Sequence, residues 1–516
     1  MKIPRSSAIL LHPTSLPGRF GIGDFGPEAY KFVDFLAESR QSLWQILPLG
    51  PTGFGDSPYQ CFSAFAGKTT VISPDRLIED GLLSASDLAS APGFSNDRVE
   101  FGPVIEWKNA LLARAFENFK RGAAPSLRRE VEGFVASESL WLDDYAFYRA
   151  IKDAHGGAAW NLWERELVKR DPKALTSARA GLQENIEAHK FFQFLFFKQW
   201  SELKRYCNQK SIKIIGDMPI FVAYDSADVW IHPELFKLSK DGSPRVVAGV
   251  PPDYFSKTGQ LWGNPLYDWE RMRATGFLWW IERVRAALRM ADLIRIDHFR
   301  GFAACWEIPF GDKTAEHGKW VPVPGNELFA ALRKEFRELP IIAEDLGVIT
   351  PDVEALRDEL GLPGMRVLQF AFGGEPTDSH LPHNYVRNTT VYTGTHDSDT
   401  VVGWFNSKAG VGSTRDKAQI NKERDYCLAY LNSDGREIHW DFIRAALASV
   451  ADVAIVPLQD LLGLDSSARM NLPASEQGNW GWRFKPDALT RKLSERLSEM
   501  TGNYGRVRDV EPSPEL

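Results

Sequence analysis

Cysteine is scarce in this chain of 516 residues: the four present, Cys61, Cys207, Cys305 and Cys427, lie far apart and in no paired spacing. That pattern excludes a disulfide framework and a zinc knuckle, and it fits thiols kept reduced in the cytoplasm, the expected compartment. Long apolar runs are missing as well. The first one, residues 8–11, is too short for a signal-peptide core or a membrane span, so no membrane association is expected. Positive charge is not in surplus: 61 Lys and Arg stand against 68 Asp and Glu, and the net charge of −7 argues against nucleic acid as a partner. No His-x-His, His-Glu-x-x-His or acidic calcium-loop spacing occurs, so neither a metal nor another cofactor is expected. What the chain does have is aromatic surface, with 17 Trp and 32 Phe. Flat rings of that kind stack on sugars or on bases, and composition does not choose between the two.

Eight short apolar runs bounded by turn residues read as buried parallel strands: residues 8–12, 43–47, 212–217, 292–297, 339–344, 365–370, 390–395 and 451–457. Amphipathic stretches at 28–39, 277–290, 326–336, 351–360 and 438–449 fall between them. Strand–helix alternation repeated eight times predicts an α/β fold, a (β/α)8 barrel forming one catalytic domain over residues 1–500. Residues 50–211 are too many for one crossover and predict an inserted, mainly helical subdomain. Its apolar stretches are 140–154 and 186–207, and Phe191, Phe192, Phe194, Phe196 and Phe197 read as core. A second insertion, 221–269, is rich in Gly, Pro and aromatics and reads as a shaped surface loop near the active face. A helix is expected at 486–500, and residues 501–516 read as a disordered tail.

One motif is a decoy. Gly21-Ile22-Gly23-Asp24-Phe25-Gly26 matches the dinucleotide fingerprint, but Pro13 and Pro17 separate it from the preceding strand, so the phosphate-facing helix start is displaced. The stronger signal is a set of carboxylates at strand ends: Asp297 closes Leu293-Ile294-Arg295-Ile296-Asp297, Glu344 closes Ile341-Ile342-Ala343-Glu344, and Asp397 follows Thr393-Gly394-Thr395-His396. In a barrel such positions converge on one mouth. Paired carboxylates among aromatics suit glycoside cleavage, in which one attacks the anomeric carbon and the other protonates the leaving oxygen. Arg295 lies two residues before Asp297, on the same side of the strand, and favours a charged Asp297. A less polar setting for Glu344 would keep its proton for acid catalysis.

These motifs resemble the amylomaltase, or disproportionating-enzyme, family of 4-α-glucanotransferases in the α-amylase clan, over nearly the whole chain. Three further segments carry the resemblance: Gly53-Phe54-Gly55-Asp56-Ser57-Pro58-Tyr59-Gln60, Gly216-Asp217-Met218-Pro219-Ile220-Phe221, and the run from Gly249 through Tyr254, Phe255, Gln260 and Trp262 to Pro265. The resemblance implies a retaining double displacement with Asp297 as nucleophile, Glu344 as acid/base and Asp397 holding donor hydroxyls. It further implies that Arg295, His298 and His396 orient the reacting sugar, that Asp217 fixes Asp297 and the glucose, and that Tyr59 stacks on that ring, with Ser57 beside it. Tyr254, Phe255 and Trp262 would cover acceptor units, with Gln260 and Asn471 as polar contacts. Maltooligosaccharides and linear α-1,4-glucans are the implied substrates, with no C-terminal β-sandwich. The sequence departs from the family's usual pattern at Lys68, Ser398 and Ala474.

Overall fold

The computed structural model describes residues 3–252, 257–408, 415–473, 475 and 477–507. Among these residues eight strands run parallel: β1 (Ser6–Leu10), β2 (Leu43–Gln45), β3 (Lys213–Pro219), β6 (Leu293–Asp297), β9 (Ile341–Ala343), β10 (Gly364–Val367), β11 (Thr389–Tyr392) and β12 (Val453–Pro457). They hydrogen-bond in the order β10-β11-β12-β1-β2-β3-β6-β9. Every residue of β1 and of β12 is buried, the environment that near-continuous apolar strands require when helices cover one face and a barrel interior the other. The eight expected strands are thus all present, and the fold is a TIM-type (β/α)8 barrel.

The ladder does not run across the seam between β9 and β10. There a backbone bond from Ala343 N to the Pro363 carbonyl, 2.9 Å, is joined by the buried carboxylate of Asp345, which accepts from Met365 N at 2.6 Å and pairs with Arg357. The helices that follow the strands start where the sequence marks them. Pro27 opens the helix Pro27–Glu38 and Pro351 opens Pro351–Glu359, each at the first turn, where a missing N–H costs nothing. Gly23 belongs to packing rather than to a cofactor: a Cβ there would lie 2.0 Å from the Pro13 carbonyl oxygen.

Between β2 and β3 the chain forms the helices Phe101–Lys120, Leu127–Ser137, Ser139–Ala154, Pro172–Gly181 and Gln183–Gln209. Phe191, Phe194, Phe196 and Phe197 on the last of these are buried in the same core as β1, β2 and β12, so this helix also serves as a barrel crossover. Gln193 on it clamps the backbone of Gly67, accepting from its N–H at 2.7 Å and donating to its carbonyl at 2.9 Å.

Two expectations need correction. The stretch 221–269 is not simply a loop: β4 (Val246–Val250) and β5 (Gln260–Pro265) form an antiparallel sheet with β7 (Ala304–Pro309) and β8 (Lys319–Pro322), in the order β5-β4-β7-β8. β4 pairs with β5 inside the stretch, but its other neighbour, β7, lies on the far side of β6 in sequence, and a bulge interrupts the β4–β5 register between Val247 and Gly249, so no local alternation betrays the sheet. The tail is ordered further than expected. A helix spans Arg491–Asn503, and Arg506 is fully buried, donating to the carbonyls of Ser6 and Leu447 at 2.8 Å each and of Ala451 at 3.0 Å. Residues 508–516 lie outside the described residues. No strand follows β12 among the described residues, and no helix there is long and apolar enough to cross a membrane.

Candidate active site

The parallel register of β3 and β6 sets Asp217 beside Arg295 and Pro219 beside Asp297, near the carboxyl ends of both strands. Arg295, almost wholly buried, uses this placement fully. One terminal nitrogen donates to both oxygens of Asp217, at 2.9 and 2.7 Å, and the other donates to Asp297 Oδ1 at 2.9 Å. A guanidinium that bridges two carboxylates in this way, through charge-assisted hydrogen bonds, holds both in direction as well as distance. Asp217 has no exposed side-chain surface, and burial raises its proton affinity while Arg295 opposes the rise. Asp297 keeps about a third of its side chain open to the barrel mouth.

Tyr59 completes the group. Its hydroxyl donates to Asp217 Oδ2 at 2.8 Å, and its ring stacks on His396 with centroids 5.0 Å apart and planes 17° apart. Ser57 Oγ accepts from the Tyr59 backbone N–H at 3.2 Å and so shapes the turn on which the ring stands. The ring of Trp480 packs beside both Tyr59 and His396.

Glu344 sits one residue past β9 and is held by two backbone N–H groups: His298 N donates to Oε2 at 2.6 Å and Leu346 N to Oε1 at 2.9 Å. The first bond comes from a residue in the left-handed region, His298 at φ 57°, a conformation non-glycine residues seldom adopt and one that recurs at functional sites. Burial, reinforced by the negative charge of Asp297, pushes the Glu344 carboxyl up to about 7. The His298 ring is pushed down to about 4 by burial and meets Trp262 edge-on at 4.8 Å. Trp262 and Gln260 both belong to β5, and the indole N–H donates to the side-chain Oε1 of Gln260 at 3.2 Å. The antiparallel sheet thus delivers an aromatic edge to the site.

Asp397 stands five residues beyond β11 with half its side chain exposed. Asn471 Nδ2 donates to its Oδ1 at 2.6 Å, and His396 Nε2 lies 3.4 Å from the same oxygen. Arg469 donates to its backbone carbonyl at 2.7 Å. The structure therefore joins Asp217, Arg295, Asp297, Tyr59 and His396 in one network and Glu344 with His298 in a second. Asn471 and Asp397 form a third, linked to the first through His396. Tyr254 and Phe255 lie outside the described residues. Trp480, flanked by Asn479 and Gly481, carries no signal in the sequence beyond its turn-like setting.

A family model described as 4-alpha-glucanotransferase matches residues 11–490. The chain belongs to the 4-alpha-glucanotransferase family. A 4-alpha-glucanotransferase of Synechocystis sp. is 53% identical, over 97% of this chain and 98% of the relative, and one of Thermus thermophilus is 49% identical, over 97% and 99%. An amylomaltase from Streptococcus agalactiae in complex with acarbose superposes with a TM-score of 0.92 at 42% identity, covering 98% of this chain and all of that one. As a 4-alpha-glucanotransferase, the chain carries Asp297 and Glu344 at the carboxyl ends of β6 and β9 and Asp397 on the loop after β11, the side on which enzymes of this fold carry out their chemistry.

Proposed function

We propose that the enzyme transfers segments of α-1,4-glucan from a maltooligosaccharide or linear glucan donor to the 4-hydroxyl of an acceptor glucose or glucan, by a retaining double displacement through a covalent glycosyl–Asp297. A carboxylate oxygen of Asp297 attacks the anomeric carbon as the glycosidic bond breaks, and the proton of Glu344 goes to the departing oxygen. The acceptor hydroxyl then gives its proton back to Glu344 and attacks the same carbon, and the bond to Asp297 breaks. The observation that carries this reading is the contrast between the two carboxyls: Asp297 is partly exposed and held by the Arg295 guanidinium, whereas Glu344 is buried and pushed up to about 7. One group is suited to carry charge and the other to carry a proton.

The remaining residues take positions around a donor ring seated over Asp297. Asp397, fixed by Asn471, and His396 hold donor hydroxyls; Tyr59, set by Ser57, offers its ring; Asp217 and Arg295 hold the nucleophile in line. Trp262 and Gln260 cover the acceptor side, raising the effective concentration of sugar hydroxyl over water. The test is a time course of maltotriose with purified enzyme, resolving products by length while counting reducing ends. Transfer gives glucose and longer maltooligosaccharides with reducing ends nearly constant. Asp297→Asn should reduce transfer by about four orders of magnitude while glucan binding persists. Climbing reducing ends without longer products, or near-normal turnover in that variant, would overturn the proposal.

A further inference from the structure

The segment from Gly394 to Thr400, which carries His396 and Asp397, is bridged at its two ends by a single buried side chain. Asp460, 1% exposed, accepts from the Thr393 hydroxyl at 2.6 Å through Oδ2 and from the Val401 backbone N–H at 2.7 Å through Oδ1. Thr393 is the first residue beyond β11, and Val401 is the first of the helix Val401–Phe405. The carboxylate thus measures the distance between the point where the chain leaves the barrel and the point where it turns back into a helix. Asp460 has no ion-pair partner among the described residues, and burial pushes its carboxyl up to about 6 despite both hydrogen bonds. An apolar side chain in its place would leave the buried Val401 N–H and the Thr393 hydroxyl without their acceptor, so the carboxylate ties the two ends of the segment together.

Neighbouring contacts reinforce this geometry. Gln369 Nε2 donates to the Asp399 carbonyl at 2.8 Å, Ser466 Oγ to Asp399 Oδ2 at 2.7 Å, and Asn471 N to the His396 carbonyl at 3.1 Å. Asp460 and His396 also line the same small cavity, with His12, Asp399 and Arg469 on its walls. We propose that Asp460 is a positioning residue of the transfer reaction, spanning Thr393 and Val401 so that His396 and Asp397 are held at a fixed height over the donor sugar. This rests on the donor-side roles given above for those two residues.

The test compares Asp460→Ala, Asp460→Asn and Thr393→Val with the parent in maltotriose disproportionation, normalised to folded enzyme. Asparagine can still accept from Val401 N and donate to the Thr393 hydroxyl, so it is the conservative rescue. Asp460→Ala is expected to lose ~30-fold in kcat/KM, mostly in kcat because contacts to donor hydroxyls tighten in the transition state. Asp460→Asn should stay within about threefold. If Asp460→Ala does not fold, Thr393→Val decides: it removes one hydroxyl donor and should cost roughly three- to tenfold in kcat. A kcat/KM for Asp460→Ala within about twofold of the parent, an asparagine variant as impaired as alanine, or an unchanged kcat in Thr393→Val each overturns the proposal. An Asp397→Asn control separates the two readings. If that variant matches the parent, the donor-side roles themselves fall and the proposal with them; if it is impaired while Asp460→Ala is not, only the positioning role falls.

Discussion

Glu344 lies in a place where burial and the charge of Asp297 act in the same direction, and both favour the protonated acid. The protonated form is the one able to donate to a leaving oxygen, so activity should be present below about 7 and lost above it. A pH profile of kcat/KM should therefore show a basic limb falling about tenfold per pH unit, and Glu344→Gln should abolish that limb along with most of the rate. Asp297 and Glu344 were legible in the sequence because each stands at the end of a short apolar run, and Arg295 because strand periodicity sets it on the same face as Asp297. Asp460 was not. Nothing in Pro457-Leu458-Gln459-Asp460 signals that its carboxylate reaches back to Thr393 and Val401, because that contact depends on the parallel pairing of β11 with β12.

Among the elements, the seam between β9 and β10 leaves little room for change. A Cβ added at Gly364 would lie 2.5 Å from Asp345 Oδ2, and that carboxylate cannot swing away without releasing Met365 N and Arg357. Gly364→Ala should thus destabilise the protein by ~2 kcal/mol, read as a lower denaturation midpoint, even though alanine is the better residue for a strand. The parallel strands and their helices could be read from pattern because each repeats a local unit bounded by Gly, Pro or capping residues. The four-stranded sheet could not: β4, which pairs with β5 on one side, pairs on the other with β7, which follows only after the whole of β6. Without that sheet Trp262 would still read as an acceptor-side aromatic by resemblance, but its edge-on contact with His298 would have no physical basis.

At the scale of the molecule, the active face and the opposite face are built for different ends. Arg506 and Arg5 cover the carbonyl end of the helix Ile438–Ala448 at the amino-terminal side of the barrel, and Arg506 also reaches Ser6. Arg506→Ala strands several buried carbonyls and should cost on the order of 3 kcal/mol. Thermal denaturation should register this as a lower Tm, while kcat/KM at 25 °C stays at the parent value because no contact of Arg506 reaches the mouth. The same closure has a consequence in time. β1 pairs with β12, Ser6 against Val453, so the earlier strand meets one of its two neighbours only after the long stretch between them has been made. At roughly 5–20 residues per second that wait lasts tens of seconds. During it the edge of an apolar strand stays open to wrong partners, which makes barrel closure, rather than the formation of any one βα unit, the step at which a nascent chain is most exposed to aggregation.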